Sequence, residues 1–384
     1  MTTTASRRQL VSIAAILFAV STASITWTMF VPLVVVHLER MQASAFLTGV
    51  AASIWALPIL LFGPVYPRLI ARLGAIPALT GGMVVSAAVI VLFPVFRNVW
   101  AWIALSIVSG AAQGHLWVLT EAWINHVASD GIRGRVTALY SALPAGASTL
   151  GPVILLWVGF EGMLPFVVAA AFLVVSVVPL YLFRDIEPRT GNAPVPALRH
   201  LLLPTAGLMV VAFIAGVFED GAVGLLPMYG LSHGLGEDLA VTLVTAFLLG
   251  RFALIYPIGH LADRYDRKGV LLVTSTLTLA CILLMPLVVG NELLLLCIVF
   301  LCGAVSGAFY SLGLALLGAR FRAHALTSAN TLFIIAYSLG LVIGFPATGL
   351  AMDAWGASGF TYALSAGVLA VIVVILLDRW RAGR

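Results

Sequence analysis

The chain has 384 residues, of which 62% are hydrophobic and only 9% charged, and its mean hydropathy is +1.11. A soluble domain carries about 25% charged residues, so the composition excludes a soluble globule and indicates a chain whose solvent is lipid. The net charge of +5 does not indicate nucleic-acid binding, because the basic residues lie in short stretches between apolar segments.

The apolar residues form segments long enough to cross a bilayer, which takes about 20 residues in a helix. Most breaks between them contain charged residues, glycine or proline, which are typical of helix ends. The first segment is too long for the apolar core of a signal peptide, so we interpret it as a membrane span. The predicted spans, numbered one to twelve, are residues 10–38, 44–71, 76–96, 99–127, 136–160, 163–183, 201–231, 239–262, 269–290, 293–319, 325–351 and 358–378.

The basic residues support this assignment. With both termini in the cytoplasm, seventeen basic residues fall in inner segments, Arg40 and Arg97 fall in outer segments, and Arg251 lies within a span. Cytoplasmic loops are enriched in Lys and Arg, and one missed or surplus span would reverse the asymmetry partway along the chain. We therefore predict twelve spans with cytoplasmic N and C termini.

The two halves of the chain repeat each other at an offset of 193 residues. Gly110-Ala111-Ala112-Gln113-Gly114 matches Gly303-Ala304-Val305-Ser306-Gly307, and Gly151-Pro152 matches Gly344-Phe345-Pro346. The longest polar stretch, residues 185–200, contains three prolines and separates the halves. These features predict two six-helix bundles, residues 1–184 and 201–384, joined by a cytoplasmic linker.

The longest charged run, Gly259 to Lys268, lies between spans eight and nine. Its pattern, Gly-x-x-x-Asp-Arg-x-x-Arg-Lys, resembles the signature turn of the major facilitator superfamily, which lies between helices two and three and recurs between helices eight and nine. The resemblance implies an all-α membrane transporter of twelve helices in two pseudo-symmetric bundles, in a bacterial inner membrane. It also implies a gating role for the turn residues Gly259, Asp263, Arg264, Arg267 and Lys268. We expect Asp263 to accept hydrogen bonds at a neighbouring helix N-terminus.

Two positions depart from the family pattern. The corresponding first-half turn keeps Gly63, Arg68 and Arg72 but has Pro67 in place of the acid, and the arginine usual in helix four is Ser106 here. In drug–proton antiporters of the family that arginine often assists proton coupling. The resemblance alone therefore does not imply their standard mechanism.

Glu121 lies near the predicted inner end of span four, and Arg133-Gly134-Arg135 follows it in the next cytoplasmic loop. This arrangement resembles the gating salt-bridge network of the superfamily, in which the glutamate meets arginines of the loops after helices two and four. The resemblance therefore favours a gate over a substrate-binding role for Glu121. Its partners would be Arg68, Arg72, Arg133 and Arg135.

Three charged side chains lie near the middle of spans, where they are costly and usually face a cavity or a partner. Glu219 and Asp220 are adjacent in span seven, and Arg251 lies at similar depth in span eight. Adjacent residues point about 100° apart on an α-helix, so we expect one acid to pair with Arg251 and the other to face the cavity. Desolvation favours protonation of the second acid, which makes it the candidate proton- or cation-binding group. An ion pair that only ties the spans together is the alternative.

Other polar and aromatic side chains within the spans are candidates for the substrate cavity. A histidine can titrate near neutral pH, although a lone one in a helix is more often a packing residue. The aromatic residues are weak signals individually, because membrane proteins also place Trp and Tyr at interfaces. The candidates are Ser24, Thr26, Trp27, Thr28, Gln113, His115, Trp117, Tyr140, Tyr229, Tyr310, Asn330 and Tyr337.

The sequence contains no Gly-x-x-x-x-Gly-Lys loop, catalytic triad or metal-ligand cluster, so we expect neither an enzyme nor a cofactor. We expect a monomeric, proton-driven antiporter that exports a small amphipathic or cationic molecule by alternating access. Proton-coupled uptake of a small metabolite by symport is the alternative direction. A sensor or assembly partner that has lost transport is a different class, which Pro67 favours and the buried acids argue against.

Overall fold

The structure is a computed structural model that describes residues 2–62, 65–114, 116, 119–120, 123, 133–182, 202–321 and 323–382. Within these residues the chain forms helices and short connections and contains no β-strand. The predicted linker, residues 185–200, lies outside the described part.

The first half of the chain contains the predicted spans one to six, and several of them are divided into shorter helices. Span one is α1 (Thr2–Arg40), and span two consists of α2 (Ala45–Ser53), α3 (Ala56–Phe62) and α4 (Tyr66–Leu73). Span three is α5 (Ala75–Leu92) with a 3-10 turn at Phe93–Val95, and span four begins with α6 (Val99–Gln113). Span five comprises α7 (Arg133–Ser148) and α8 (Leu150–Val158), and span six is α9 (Leu164–Leu182).

The second half contains the predicted spans seven to twelve. Span seven consists of α10 (Leu202–Gly216), a π-helical segment (Val217–Ala222) and α11 (Val223–Ser232). Spans eight and nine are α12 (Glu237–Arg264) and α13 (Arg267–Val288). Span ten is divided into α14 (Glu292–Ser306) and α15 (Ala308–Arg320), and spans eleven and twelve are α16 (Ala323–Trp355) and α17 (Ser358–Ala382).

The helices are long and apolar enough for a membrane. Among the described residues, nine helices qualify as spans, and α2 with α3 makes a tenth if the bent pair is one span. Large apolar side chains such as Leu287, Leu293 and Trp157 are among the most exposed, which suits lipid and not water. The predicted all-α membrane architecture is therefore confirmed, while the count of twelve spans stays a prediction.

Contacts between Cα atoms divide the chain into two compact units. The first unit is Met1–His37 with Ile54–Ala193, and the second is Leu38–Ser53 with Pro194–Arg384. The second unit thus contains a short segment, residues 38–53, from the first half of the sequence. The predicted bundle boundaries, 1–184 and 201–384, stay a prediction.

Helix caps repeat between the two halves. The side chain of Asn98 accepts a hydrogen bond from the backbone N–H of Trp100 at the start of α6 (2.8 Å). Asn291 accepts one from Leu294 at the start of α14 (3.0 Å). Such side-chain oxygens satisfy N–H groups that have no partner within the helix. The two caps are 193 residues apart, the same offset as the sequence repeat.

Glycines that allow close helix packing follow the same repeat. A Cβ atom on Gly110 would lie 2.0 Å from the carbonyl oxygen of Trp55, and one on Gly303 would lie 2.0 Å from that of Phe247. Small residues let helix backbones approach closely in membranes. Each of these glycines packs a span of its own unit against an earlier one, so the motif found in the sequence is a packing device in both halves.

Candidate functional site

Span seven is not a continuous α-helix. Between α10 and α11, the π-helical segment Val217–Ala222 contains Glu219 and Asp220, whose side chains lie outside the described part of the structure. π-Helical turns are rare and often occur at functional sites. The backbone irregularity therefore coincides with the two acids that the sequence identifies as coupling candidates.

The segment beside these acids is fixed by backbone contact with α16. A Cβ atom on Gly216 would lie 2.1 Å from the carbonyl oxygen of Tyr337, and one on Gly340 would lie 2.0 Å from that of Phe213. Neither position has room for any side chain. Glu219 and Asp220 therefore lie just after a stretch of helix that packs tightly against α16.

Arg251 lies near the middle of α12 and is half-buried. It borders a small cavity in the second unit. A Cβ atom on Gly307, at the break between α14 and α15, would lie 2.7 Å from Cγ of Arg251, so the glycine makes room for the arginine side chain. The cavity is lined by Ala215, Phe218, Phe247, Arg251, Ser306, Gly307 and Tyr310.

Tyr310 connects this cavity to an aromatic cluster on α16. Its ring centroid lies 5.0 Å from that of Tyr337 and 5.5 Å from that of Phe333. Asn330, seven residues before Tyr337 and on the same face of α16, has a buried Oδ1 with no hydrogen-bond partner among the described residues. Three sequence-predicted residues, Tyr310, Asn330 and Tyr337, thus belong to one region of the second unit.

The predicted candidates of the first unit make local contacts. The rings of Trp27 and Trp55 lie 4.0 Å apart. Gln113 donates a hydrogen bond to the Ser109 hydroxyl (3.2 Å), and the hydroxyl of Tyr140 lies 3.2 Å from that of Thr120. His115, Trp117 and Glu121 lie outside the described residues.

The hydroxyl groups of span one are used for packing. Thr26 donates to the carbonyl oxygen of Ala169 (3.1 Å), and Thr28 donates to that of Ser148 (2.7 Å). Ser24 donates to Val20 within α1 (2.9 Å). All three hydroxyl-bearing residues are buried, and Thr26 and Thr28 join α1 to other helices of the first unit.

The charged turn between α12 and α13 contains an acid that caps a helix. Asp266 is the N-cap of α13 and accepts hydrogen bonds from the backbone N–H groups of Lys268 (3.2 Å) and Gly269 (3.0 Å). It also forms an ion pair with Arg379 near the end of α17. Asp263, the acid of the family motif, is 75% exposed and lies 3.8 Å from Arg267. The gating role of Asp263 stays a prediction.

Two further contacts hold this turn against the rest of the second unit. Nζ of Lys268 lies 2.6 Å from a carboxylate oxygen of Asp378 in α17. Arg267 donates a hydrogen bond to the carbonyl oxygen of Ala315 in α15 (3.2 Å). Arg264 is the last residue of α12, where a cation complements the helix dipole. At Gly259, an added Cβ atom would meet nothing within 4 Å.

Asp266 contributes a pH-dependent part of the stability. Partial burial raises its pKa, but the hydrogen bonds from Arg379 and from the N–H groups of Lys268 and Gly269 outweigh this, and the net pKa lies below its ordinary value of 3.8. Because the folded-state pKa is lowered, the stabilisation is complete at pH values above the unfolded-state pKa. It is lost as the pH falls through the lowered value.

We predict that Asp266→Ala lowers the free energy of unfolding by about 1 kcal/mol at neutral pH, as expected for the loss of an N-cap. Asp263→Asn is the matched control, because its exposed pair with Arg267 contributes little. Thermal unfolding of the purified variants measures the difference. Equal midpoints would show that the Asp266 cap does not stabilise α13.

The first-half residues of the predicted gate are only partly described. Arg68 and Arg72 are exposed on α4, and Arg133 and Arg135 lie at the start of α7, where only their backbone is described. Their predicted partner, Glu121, lies outside the described residues. The first-half gate therefore stays a prediction.

Five residues that line the cavity had not been identified as site candidates from the sequence: Ala215, Phe218, Phe247, Ser306 and Gly307. The phenylalanines resemble ordinary apolar span residues. Ser306 and Gly307, however, end the repeated motif whose first-half copy contains Gln113. Treating the two copies of the motif as equivalent positions would have pointed to them.

An all-α membrane fold, a sequence repeat and charged residues within the spans together define a polytopic transporter. The chain matches the Major Facilitator Superfamily over residues 16–243 and 208–382. These matches cover most of its length, and the chain belongs to this family.

Curated relatives carry the same description. The chain is 24% identical over 372 residues to the uncharacterized MFS-type transporter YfkF of Bacillus subtilis (strain 168), covering 94% of this chain and 93% of YfkF. It is 26% identical over 287 residues to the uncharacterized MFS-type transporter YcaD of Escherichia coli O6:K15:H31, covering 72% of each chain.

Solved structures show the same fold at low sequence identity. The nucleoside transporter NupG aligns with a TM-score of 0.73 at 13% identity, covering 96% of this chain and 98% of NupG. A bacterial homologue of the human lysosomal transporter Spinster aligns with a TM-score of 0.72 at 13% identity, covering 95% of this chain and 94% of that chain. These similarities confirm the predicted fold.

Proposed function

We propose that this protein is a secondary active transporter that exports a small molecule from a bacterial cell in exchange for protons. It acts as a monomer in the inner membrane. Both termini lie in the cytoplasm, as the distribution of basic residues favours. Transport proceeds by alternating access, in which two halves rock around a site near the middle of the membrane. Membership of the family supports alternating access. The charged residues within the spans support coupling of transport to protons.

The observation that carries the proposal is the placement of Arg251 at a cavity wall in the same unit as the π-helical segment with Glu219 and Asp220. A charge inside a bilayer is costly unless it faces a cavity or a partner. A scaffold without transport gains little from such charges. Around this small cavity the cation lies beside the Ser306 and Tyr310 side chains and two phenylalanines, a mixture of polar and apolar groups typical of small-molecule sites.

We assign different roles to the two acids. Glu219 has the longer side chain and is the proton carrier, whereas Asp220 is the ion-pair partner of Arg251. Proton uptake by Glu219 on one side of the membrane and release on the other couples the gradient to substrate movement. The turn around Asp263 and the predicted pair of Glu121 with first-half arginines gate the cytoplasmic side.

Transport into proteoliposomes tests the proposal. Compounds that raise the unfolding temperature of the purified protein are selected from a panel of small amphipathic molecules and cations, and their accumulation is followed with an imposed pH gradient. A proton antiporter accumulates its substrate in vesicles that are acidic inside, and a symporter in vesicles that are alkaline inside. Accumulation in neither case, for every stabilising compound, would contradict proton-coupled transport.

We predict that Arg251→Ala lowers the free energy of unfolding by about 3 kcal/mol, as for removal of one member of a buried ion pair. Arg97→Ala is the matched control, because Arg97 is exposed and an exposed charge contributes little. Thermal unfolding in the same detergent measures both variants. Equal midpoints would show that Arg251 is not part of a buried charge network.

A further inference from the structure

Two tryptophans meet in the first unit at the break in span two. Trp27 belongs to α1, and Trp55 lies between α2 and α3. Their ring centroids are 4.0 Å apart, and the ring planes are inclined by 50°. Both side chains are half-buried, whereas Trp102 and Trp123 are fully buried. The pair therefore keeps aromatic surface that no other described residue covers.

Both tryptophans are attached to fixed stretches of backbone. The threonines before and after Trp27 donate hydrogen bonds to carbonyl oxygens of α9 (3.1 Å) and α7 (2.7 Å). At Trp55, a Cβ atom on Gly110 of α6 would lie 2.0 Å from the carbonyl oxygen, so the two backbones are in contact. Groups that are already held in place lose little freedom on binding. The pair is thus preorganised to stack against a further ring.

An amide side chain lies one turn beyond this contact in α6. Gln113 follows Gly110 by three residues, so the two share a face of the helix. Its Nε2 donates a hydrogen bond to Oγ of Ser109 (3.2 Å), which lies 2.7 Å from Oγ of Ser86. Both serines are buried and hold the amide in one orientation. Its Oε1 makes no hydrogen bond within the described part of the chain, so it is available as an acceptor.

The helices around these side chains carry no charge in their apolar stretches. Residues 10–38, 45–62, 75–95 and 99–113 include no Asp, Glu, Lys or Arg. Ser106, at the α6 position where the family usually has an arginine, is buried. A wall without charged groups gains nothing from a fixed charge on a ligand. It selects a ligand by shape, by ring stacking and by hydrogen bonding.

We propose that Trp27, Trp55 and Gln113 form a binding subsite for a neutral, planar aromatic amine. The ring stacks on the tryptophans, and an N–H group on its edge donates a hydrogen bond to Oε1 of Gln113. Such a molecule is amphipathic, so the subsite names the class of substrate for the transport proposed above. The inference rests on that function for its physiological meaning, whereas binding itself is independent of transport.

Two fluorescent coumarins that differ only in the N–H groups of their ring amine test the subsite. Aminomethylcoumarin has such groups, and its dimethylamino analogue has none. Binding to the purified protein in detergent is measured by fluorescence anisotropy, with protein-free micelles as the reference. The ratio of the two affinities is compared between variants, because the partition of each dye into detergent then cancels. A folded parent protein that binds neither dye overturns the proposed class of ligand.

We predict that Gln113→Leu lowers the affinity ratio of the amine to its analogue about fivefold, the factor for one net hydrogen bond. Ser109→Ala should lower the ratio in the same direction, because it frees the amide to turn. Gln42→Leu is the matched control, since Gln42 is exposed, and it should keep the ratio of the parent. Equal ratios in Gln113→Leu and in the parent would contradict the role of Gln113 as acceptor.

The stacking surface is tested with the tryptophans. Trp27→Leu should weaken the binding of both dyes about tenfold, within the range for loss of one stacking partner. Trp157→Leu is the matched control, because Trp157 is 87% exposed on α8, and it should bind as the parent does. Thermal unfolding shows whether each variant is folded, and Trp55→Leu provides the same test if Trp27→Leu is not.

The outcomes separate the subsite from the proposed function. Folded tryptophan variants that bind both dyes as tightly as Trp157→Leu would overturn the subsite, even if the protein transports another compound with protons. The expected losses of binding, in a protein that moves no stabilising compound across a membrane, would support the subsite and contradict only the proposed transport.

Discussion

Glu219→Gln is expected to exchange substrate across a membrane that has no gradient but to lose the ability to concentrate it. Glutamine keeps the size and hydrogen bonding of glutamate and cannot titrate. One pH unit corresponds to about 1.36 kcal/mol, which supports a concentration ratio of about ten for one-for-one exchange in the unmodified protein. The variant should show a ratio of one under the same gradient, measured with a stabilising compound in proteoliposomes.

Two further variants make this result specific. Asp220→Asn should mainly lose stability, because it leaves the buried charge of Arg251 without its proposed partner. Glu161→Gln is the matched control, since Glu161 is exposed in the connection between α8 and α9, and it should accumulate substrate normally. If Glu219→Gln and Asp220→Asn both still concentrate substrate, coupling lies elsewhere, and His115 and Glu121 become the next candidates.

Gly303→Ala is expected to destabilise the second unit by about 3 kcal/mol, at the upper end of the cost of overpacking. The new Cβ atom would lie 2.0 Å from the carbonyl oxygen of Phe247. The obstacle is backbone and not a flexible side chain, so α12 and α14 must separate. Thermal unfolding and the yield of monodisperse protein measure the effect.

Gly318→Ala provides the matched control for this change. Gly318 also lies in a helix, α15, but a Cβ atom there would meet nothing within 4 Å. Alanine forms helices better than glycine by about 1 kcal/mol, so the control should be neutral or more stable. Equal stability of Gly303→Ala and Gly318→Ala would show that the repeated glycine is not a packing device.

Hydropathy predicted most spans well because an apolar run must begin and end near the membrane surface. Spans six, eight and twelve, for example, agree with α9, α12 and α17 within a few residues. Breaks inside spans were not predicted. The π-helical segment in span seven and the division of span ten at Gly307 leave the average hydropathy unchanged, so an apolar window cannot detect them.

The charged residues show a similar limit of prediction from sequence. The position of Arg251 at the depth of the acids follows from span boundaries alone, and the sequence identified it. Arg40 forms an ion pair with Glu237 (2.7 Å), and this pairing did not follow from the sequence, because the two residues lie 197 positions apart in different predicted outer loops. Position along the chain predicts how deep a charge lies in the membrane but not which long-range partner it meets.

The sign of proton movement tests proton-coupled export most directly. Everted membrane vesicles that express the protein are energised so that their interior becomes acidic, and a pH-sensitive dye reports the gradient. A stabilising compound should then dissipate part of the gradient, because protons leave as the compound enters, and the loss should disappear in vesicles that carry Glu219→Gln. If no stabilising compound changes the gradient relative to vesicles without the protein, proton-coupled export is wrong.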